Sequence, residues 1–280
     1  MRDVRALLRE YDLRPRKDWG QNFLVSERAL DRIVEAAELT PSDTVLEVGP
    51  GLGDLTLRLA ERAGRVIAVE IDEKLLALLA RVLAERPNVE LILGDILELN
   101  IAELLGEVSF APENYKVVAN LPYYVTSAIL RHLLEAEVKP SLMVVTVQRE
   151  VAERVVAEPG QMSLLAVGVQ FYAFPRIVSR IPRGAFYPPP EVASAILRID
   201  LRSSFPVSEG EEERFFQVVR AGFSQRRKQL KNSLAHGLGM SSECAVEALR
   251  DCGIDGWRRA QELSLEEWVK LYQGLKAFLD

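Results

Sequence analysis

The chain has 280 residues, 48% hydrophobic and 27% charged, with a formal net charge of −6. That length suits one large α/β domain plus a smaller one with ample core, and no apolar run is long enough to span a membrane. The only two cysteines, Cys244 and Cys252, and the distant His132 and His236 offer neither a disulfide framework nor a zinc site, which fits a reducing cytosol.

Val4, Leu7, Leu8 and Tyr11 recur at helical spacing and predict a short amphipathic helix over 3–12, without the continuous apolar stretch of a secretory signal. Arg14–Leu24 breaks the period at Pro15 and Gly20. It reads as a loop whose basic, aromatic and amide residues suit a ligand lid or a nucleic-acid contact. Ser26 is a good N-cap for a helix with Leu30, Ile33, Val34 and Ala37 on one face. After a turn at Thr40–Asp43, strands are predicted at 44–48, 65–70, 89–93, 116–119 and 142–148, with helices at 54–62, 73–85, 126–136 and 149–157. Strands separated by helices imply a parallel sheet covered on both faces. Residues 163–173 read as a further helix, and Pro175–Pro182 and Ala193–Leu201 as strands. The link between those strands, Arg183–Val192, is too short for a helical crossover, so they are expected as an antiparallel pair at a sheet edge. Ser203–Gly210 reads as a linker and divides the chain into domains 1–204 and 205–280. Beyond it every pattern is helical. Phe215, Phe216, Val219 and Phe223 share a face, and Ser264–Glu267 is a capping box.

The first predicted strand runs into Gly49, Gly51 and Gly53, at a spacing one residue shorter than the G-x-G-x-x-G of dinucleotide-binding folds. Alternate glycines let a ligand approach the backbone of a tight strand-to-helix turn. With Glu47 preceding it, the run resembles motif I of class I S-adenosylmethionine (SAM) methyltransferases. Glu70 ends the next strand, where an acid can accept hydrogen bonds from both ribose hydroxyls. Asp95 ends the third, placed either to hold an adenine amino group or to cap a helix, and the two roles are compatible. Asn120-Leu121-Pro122-Tyr123 ends the fourth strand and resembles the motif of methyltransferases acting on exocyclic amines of bases. Adenine N6 is a poor nucleophile because its lone pair is delocalised into the ring. Acceptors aimed at both N–H bonds, here the Asn120 side-chain oxygen and the Leu121 carbonyl, free that lone pair. Pro122 stiffens the backbone, and Tyr123 can stack on the base. Phe186, in the proline-rich link Phe186–Val192, is placed to clamp a base against Tyr123.

The net negative charge hides basic clusters free of acids. Arg220, Arg226, Arg227, Lys228 and Lys231 form one; Arg176, Arg180 and Arg183 a second; Arg14, Arg16 and Lys17 a third. Local patches of this kind, rather than total charge, govern phosphate binding, although any one of them also reads as a solvated face.

With these residues in hand, the chain resembles the rRNA adenine N6,N6-dimethyltransferases, in particular the KsgA-type branch acting on the small ribosomal subunit. The resemblance spans nearly the whole chain and rests on five motifs in order: Lys17–Leu24, Glu47–Gly53, Asn120–Tyr124, Phe186–Val192 and Phe223–Leu234. The loop Glu158–Ser163 departs from the family pattern in being short and lacking a tyrosine. The resemblance implies a Rossmann-like, seven-stranded, mostly parallel sheet with an antiparallel edge strand, and a small all-α C-terminal domain. It implies SAM contacts from Asn22, Leu24, Gly49, Gly51, Glu70, Asp95 and Asn120, without a metal. Asn120, Leu121, Pro122, Tyr123 and Phe186 would form the adenine site. Arg14, Lys17, Arg183, Arg226, Arg227, Lys228 and Lys231 would face rRNA. The implied partner is small-subunit rRNA in a pre-30S particle, methylated on two adjacent adenosines of its 3′-terminal hairpin by a cytoplasmic monomer that does not bind membrane. Two alternatives stand beside this: a 23S rRNA adenine methyltransferase of the macrolide-resistance type, and a non-catalytic RNA-binding assembly factor.

Overall fold

A computed structural model describes residues 4–16, 21–106 and 115–279. Helix α1 (Val4–Glu10) and a two-residue strand β1 (Phe23–Leu24) precede α2 (Glu27–Ala37), whose N-cap Ser26 accepts from the Ala29 N–H. The alternating part follows as β2 (Thr44–Val48), α3 (Asp54–Ala60), β3 (Arg65–Glu70), α4 (Glu73–Val82), β4 (Val89–Leu93), α5 (Ile101–Leu105), β5 (Tyr115–Asn120), α6 (Thr126–Glu135) and β6 (Leu142–Gln148). Then come α7 (Arg149–Val155), α8 (Leu164–Tyr172), β7 (Ala173–Ile181), β8 (Phe186–Tyr187) and β9 (Ser194–Leu201). Four helices complete the chain: α9 (Glu212–Phe223), α10 (Leu230–Leu238), α11 (Ser242–Asp251) and α12 (Leu265–Leu279). The helices expected before residue 175 end one to three residues early, where the unpaired carbonyls of the last turn give way to turn geometry.

Seven strands form one sheet in the order β4-β3-β2-β5-β6-β9-β7. β2, β5 and β6 are mostly apolar and largely buried, because helices cover both faces of a parallel sheet. On one face, Leu30, Ile33 and Val34 of α2 and Leu55 and Leu59 of α3 pack with Val45, Val66, Val118, Val144 and Ile196. β9 runs antiparallel to β6, pairing Gln148 with Ser194, and lies one strand in from the margin that β7 occupies.

The chain winds outward from β2 to β3 and β4 on one side, then returns to β5 and β6 on the other. Parallel sheets bind ligands outside the carboxyl ends of the strands at such a reversal. Val48, Glu70, Leu93 and Asn120 are the last residues of β2, β3, β4 and β5.

A separate ladder pairs Phe23 with Tyr187 and Leu24 with Phe186, joining the expected N-terminal loop to the proline-rich link. Two residues are too few to show alternation, so this ladder has no periodic signature. The same holds for α5, a five-residue helix capped by the Asn100 side chain.

The chain divides into two units, residues 1–152 with 175–201 and residues 153–174 with 202–280. The predicted boundary at 204/205 therefore misplaces 153–174. Phe171 of α8 stacks on Phe215 at 4.8 Å between centroids and also meets Phe205 and Phe216, so α8 belongs to the core of the helical unit. Trp268 and Tyr272 complete that core and are fully buried.

Candidate active site

The glycine loop follows β2 directly. Gly49, Gly51 and Gly53 have φ of +70°, +59° and +82°, where an L side chain would clash with its own backbone. The Gly49 N–H donates to the Val69 carbonyl at 2.9 Å, which extends the β2–β3 ladder into the loop. A Cβ added to Gly51 would lie 3.1 Å from Phe23 Cδ1, so β1 packs against the loop.

Glu70 braces the same loop. Its Oε2 accepts from the Gly51 N–H at 3.3 Å, and its Oε1 from the Ile71 and Asp72 N–H groups, each at 3.0 Å. Burial pushes its pKa up, and the three backbone donors oppose that shift. A carboxylate has about four acceptor sites, so these contacts leave capacity for a ligand hydroxyl. Asp72 caps α4 through the Lys74 N–H and lies 3.4 Å from Arg16 Nε. Asp95 caps the turn after β4, accepting from the Leu97 N–H at 2.9 Å.

Asn120 ends β5. Its Nδ2 donates to the Asn22 carbonyl at 3.1 Å, while its Oδ1 is buried without a hydrogen-bond partner among the described residues. Anchoring the NH₂ decides which way the amide faces. Leaving a buried acceptor unpaired costs roughly 1–3 kcal/mol, and a ligand donor would recover that cost. Next along the chain, the Pro122 carbonyl accepts from Thr126 Oγ1 at 3.0 Å and from the Val125 N–H at 3.4 Å. Both its lone pairs are engaged. The Tyr123 hydroxyl shares a 2.5 Å hydrogen bond with Ser194 Oγ, and burial pushes its pKa up to about 12.

One pocket is lined by Asn22, Leu24, Gly49, Gly51, Glu70, Asp95, Asn120, Leu121, Pro122 and Tyr123. Phe186 is not part of that lining. It is buried among Leu24, Leu30 and Ile196, and meets Tyr123 edge-on with centroids 6.5 Å apart at 73°. The expected sandwich of a base between these two rings is corrected accordingly: Phe186 supports Tyr123 from the core and does not offer a second parallel face.

The basic residues separate into different settings. Arg14, Arg226, Arg227 and Lys228 are exposed. Arg183 Nε donates to the Pro190 carbonyl at 2.6 Å and so holds the proline-rich link. Lys231 Nζ lies 3.5 Å from the Trp257 ring centroid. Lys17 lies outside the described residues. Among the described residues, no group of three or more His, Cys, Asp or Glu is placed to hold a metal.

Sequence reasoning did not single out Ser194, although it lies two residues past the Phe186–Val192 motif, or Phe23, which sits between two residues expected to contact SAM. It also gave Glu47 no role beyond marking the motif. Glu47 lines the pocket and is 1% exposed, with Oε2 lacking a hydrogen-bond partner among the described residues. Burial pushes its pKa up to about 8; Thr56 opposes the shift and the charge on Glu70 adds to it. The native state thus keeps a proton that the unfolded chain releases near the ordinary value of 4.5. Stability from this group is complete below 4.5 and is lost as pH rises to about 8. Glu47→Gln, which mimics the protonated acid, is expected to flatten the stability–pH curve over that window and to be more stable than the parent above it. Urea unfolding at pH 5, 7 and 9 checks this, and parallel curves for the two proteins would contradict it.

SAM presents two ribose hydroxyls, an adenine amine and a charged methionine tail. The pocket offers a buried carboxylate at the end of the second parallel strand, a second acid at the third, and a backbone cradle that side chains would fill. These residues fit SAM. Fold and pocket together are those of a class I SAM-dependent methyltransferase. The chain belongs to the ribosomal RNA adenine dimethylase family, whose model matches residues 13–277.

It is 50% identical over 271 residues to ribosomal RNA small subunit methyltransferase A of Dehalococcoides mccartyi, covering 97% of this chain and 92% of that protein. To the protein of the same name from Pelotomaculum thermopropionicum it is 47% identical, covering 99% and 96%. Among solved structures it is similar to the 23S rRNA methyltransferase ErmE, with 31% identity, a TM-score of 0.72 and coverage of 91% of this chain and all of that one.

Proposed function

We propose that this protein transfers methyl groups from SAM to N6 of two adjacent adenosines in the 3′-terminal hairpin of small-subunit (16S) rRNA. It does so on a partly assembled 30S particle in the cytoplasm, as a monomer. The observation that carries the chemistry is Asn120 Oδ1, a buried acceptor left unpaired among the described residues, on an amide whose other end is anchored.

Bound in the pocket, SAM supplies an electrophilic sulfonium methyl. Glu70 would hold the ribose, Asp95 the adenine amine, and Gly49 and Gly51 the tail, with Asn22, Leu24 and Asn120 closing the site. For the target base, Asn120 Oδ1 accepts one N6–H and the Leu121 carbonyl the other. The Pro122 carbonyl is already engaged, which supports Leu121 as the second acceptor. Two acceptors favour a pyramidal nitrogen with an available lone pair. Tyr123, its ring fixed by Ser194 and Phe186, stacks on the base. No strong general base is needed, because the nitrogen becomes acidic once methylated. The exposed Arg226, Arg227 and Lys228 bind rRNA phosphates.

The higher identity to proteins named for the small subunit than to the 23S enzyme supports the small-subunit assignment. The test is incubation with labelled SAM and either unmethylated 30S particles or 50S precursors. Label is expected in small-subunit rRNA; label confined to large-subunit rRNA would select the 23S alternative instead.

A further inference from the structure

The helical unit carries a surface that the methyl-transfer site does not use. The Leu230 N–H donates to the Arg258 carbonyl at 2.7 Å and the Lys231 N–H to the Gly256 carbonyl at 3.3 Å. The start of α10 and the loop 253–259 are therefore laced together by their backbones. This sets the Trp257 indole beside the end of an acid-free turn, Ser224–Gln229, that carries Arg226, Arg227 and Lys228. Trp257 is 66% exposed, the highest value for a large hydrophobic residue among the described ones. Leaving an indole in water forgoes the free energy of burying it, so a ring held this way is the unusual observation.

The ring is also presented rather than loose. Lys231 Nζ lies 3.5 Å from its centroid over one face. The Trp257 N–H donates to Asp255 Oδ1 at 2.9 Å, which commits the loop's one acid to its own backbone. Arg258 Nη2 donates to Glu267 Oε2 at 2.9 Å, which fixes the next residue. A cation on one π-face, an open remainder and three exposed cations in the adjoining turn suit a flat, electron-rich base joined to phosphate. A hydrophobic protein socket would have to desolvate those cations without compensation, which disfavours a protein partner.

We propose that Trp257 is a base-stacking platform. An unpaired rRNA nucleobase lies on the indole, and its flanking phosphates are held by Arg226, Arg227, Lys228 and Lys231. The proposal rests on the reading that rRNA in a small-subunit particle is the substrate. It adds a second point of base contact, in the helical unit, to the adenine held at Asn120.

The test measures binding of the full-length protein to unmethylated 30S particles across a salt series. Trp257→Ala is expected to weaken binding about tenfold with an unchanged salt slope, because stacking releases no counterions. Trp257→Phe and Trp257→Tyr restore most of the loss. Arg226→Glu with Arg227→Glu instead flattens the slope. A Trp257→p-benzoylphenylalanine variant crosslinks to rRNA. Wild-type affinity in Trp257→Ala, a Phe variant as weak as the Ala variant, or crosslinking only to ribosomal protein would each overturn the platform. SAM affinity, unchanged in all variants, checks that they are folded. If the wild-type protein neither binds nor methylates the particle, the rRNA reading itself fails, and the platform falls with it.

Discussion

Asn120→Ala is expected to keep SAM affinity within about one order of magnitude while methyl transfer falls by ~10²-fold or more. The two effects separate because, in the proposed site, SAM would be held at several points, by Glu70, Asp95 and the glycine backbone, whereas N6 would have two acceptors, one of them Asn120 Oδ1. Losing a preorganised acceptor raises the barrier most where charge develops, on the attacking nitrogen. The anchor to Asn22 predicts an intermediate outcome for Asn120→Asp. That variant keeps an acceptor but loses the Nδ2 donor, and sets a carboxylate oxygen against the Asn22 carbonyl. SAM titration by calorimetry and single-turnover transfer to 30S particles measure the two halves separately. Unchanged turnover in Asn120→Ala would remove its catalytic role.

Gly51→Val is expected to weaken SAM binding by ~10²-fold or more, with a much smaller loss of melting temperature. A β-branched residue at φ +59° is strained by roughly 1–3 kcal/mol. Its Cβ would also stand 3.1 Å from Phe23 Cδ1, on a strand fixed by pairing with Tyr187. The loop must therefore shift, and the Gly51 N–H that Glu70 Oε2 accepts shifts with it. One substitution disturbs both the glycine loop and Glu70, the proposed ribose acceptor. Gly49→Ala is the milder comparison, since its added Cβ meets nothing closer than 3.9 Å, although φ remains +70°. Calorimetric SAM binding by the two variants checks the ranking. Equal affinities for Gly51→Val and the parent would mean that the cofactor does not lie against this loop.

The parallel sheet was legible because β2, β5 and β6 are short, mostly apolar runs separated by helical periods, the pattern of a doubly covered sheet. The strand-end positions of Glu70, Asp95 and Asn120 followed from the same pattern, because Glu70 and Asn120 close β3 and β5 and Asp95 lies two residues past the end of β4. What stayed hidden depends on contacts distant in sequence. Asn120 takes its orientation from Asn22, 98 residues earlier, and Tyr123 is held by Ser194, 71 residues later. Phe186 read as a clamp against Tyr123 because its proline-rich link is stiff. Its pairing with Leu24, which draws it into the core, spans more than 160 residues and leaves no local trace. The placement of α8 failed for a related reason. Its partners Phe205, Phe215 and Phe216 all lie beyond three intervening strands, β7, β8 and β9.

The central claim is that the Asn120 site methylates the exocyclic nitrogen of adenine in small-subunit rRNA. The most direct measurement is mass spectrometry of nucleosides and mapped fragments from unmethylated 30S particles after exhaustive reaction with SAM. The predicted product is N6,N6-dimethyladenosine at two adjacent positions of the 3′-terminal hairpin. Methyl groups on a ring carbon, a ribose or another base would contradict it.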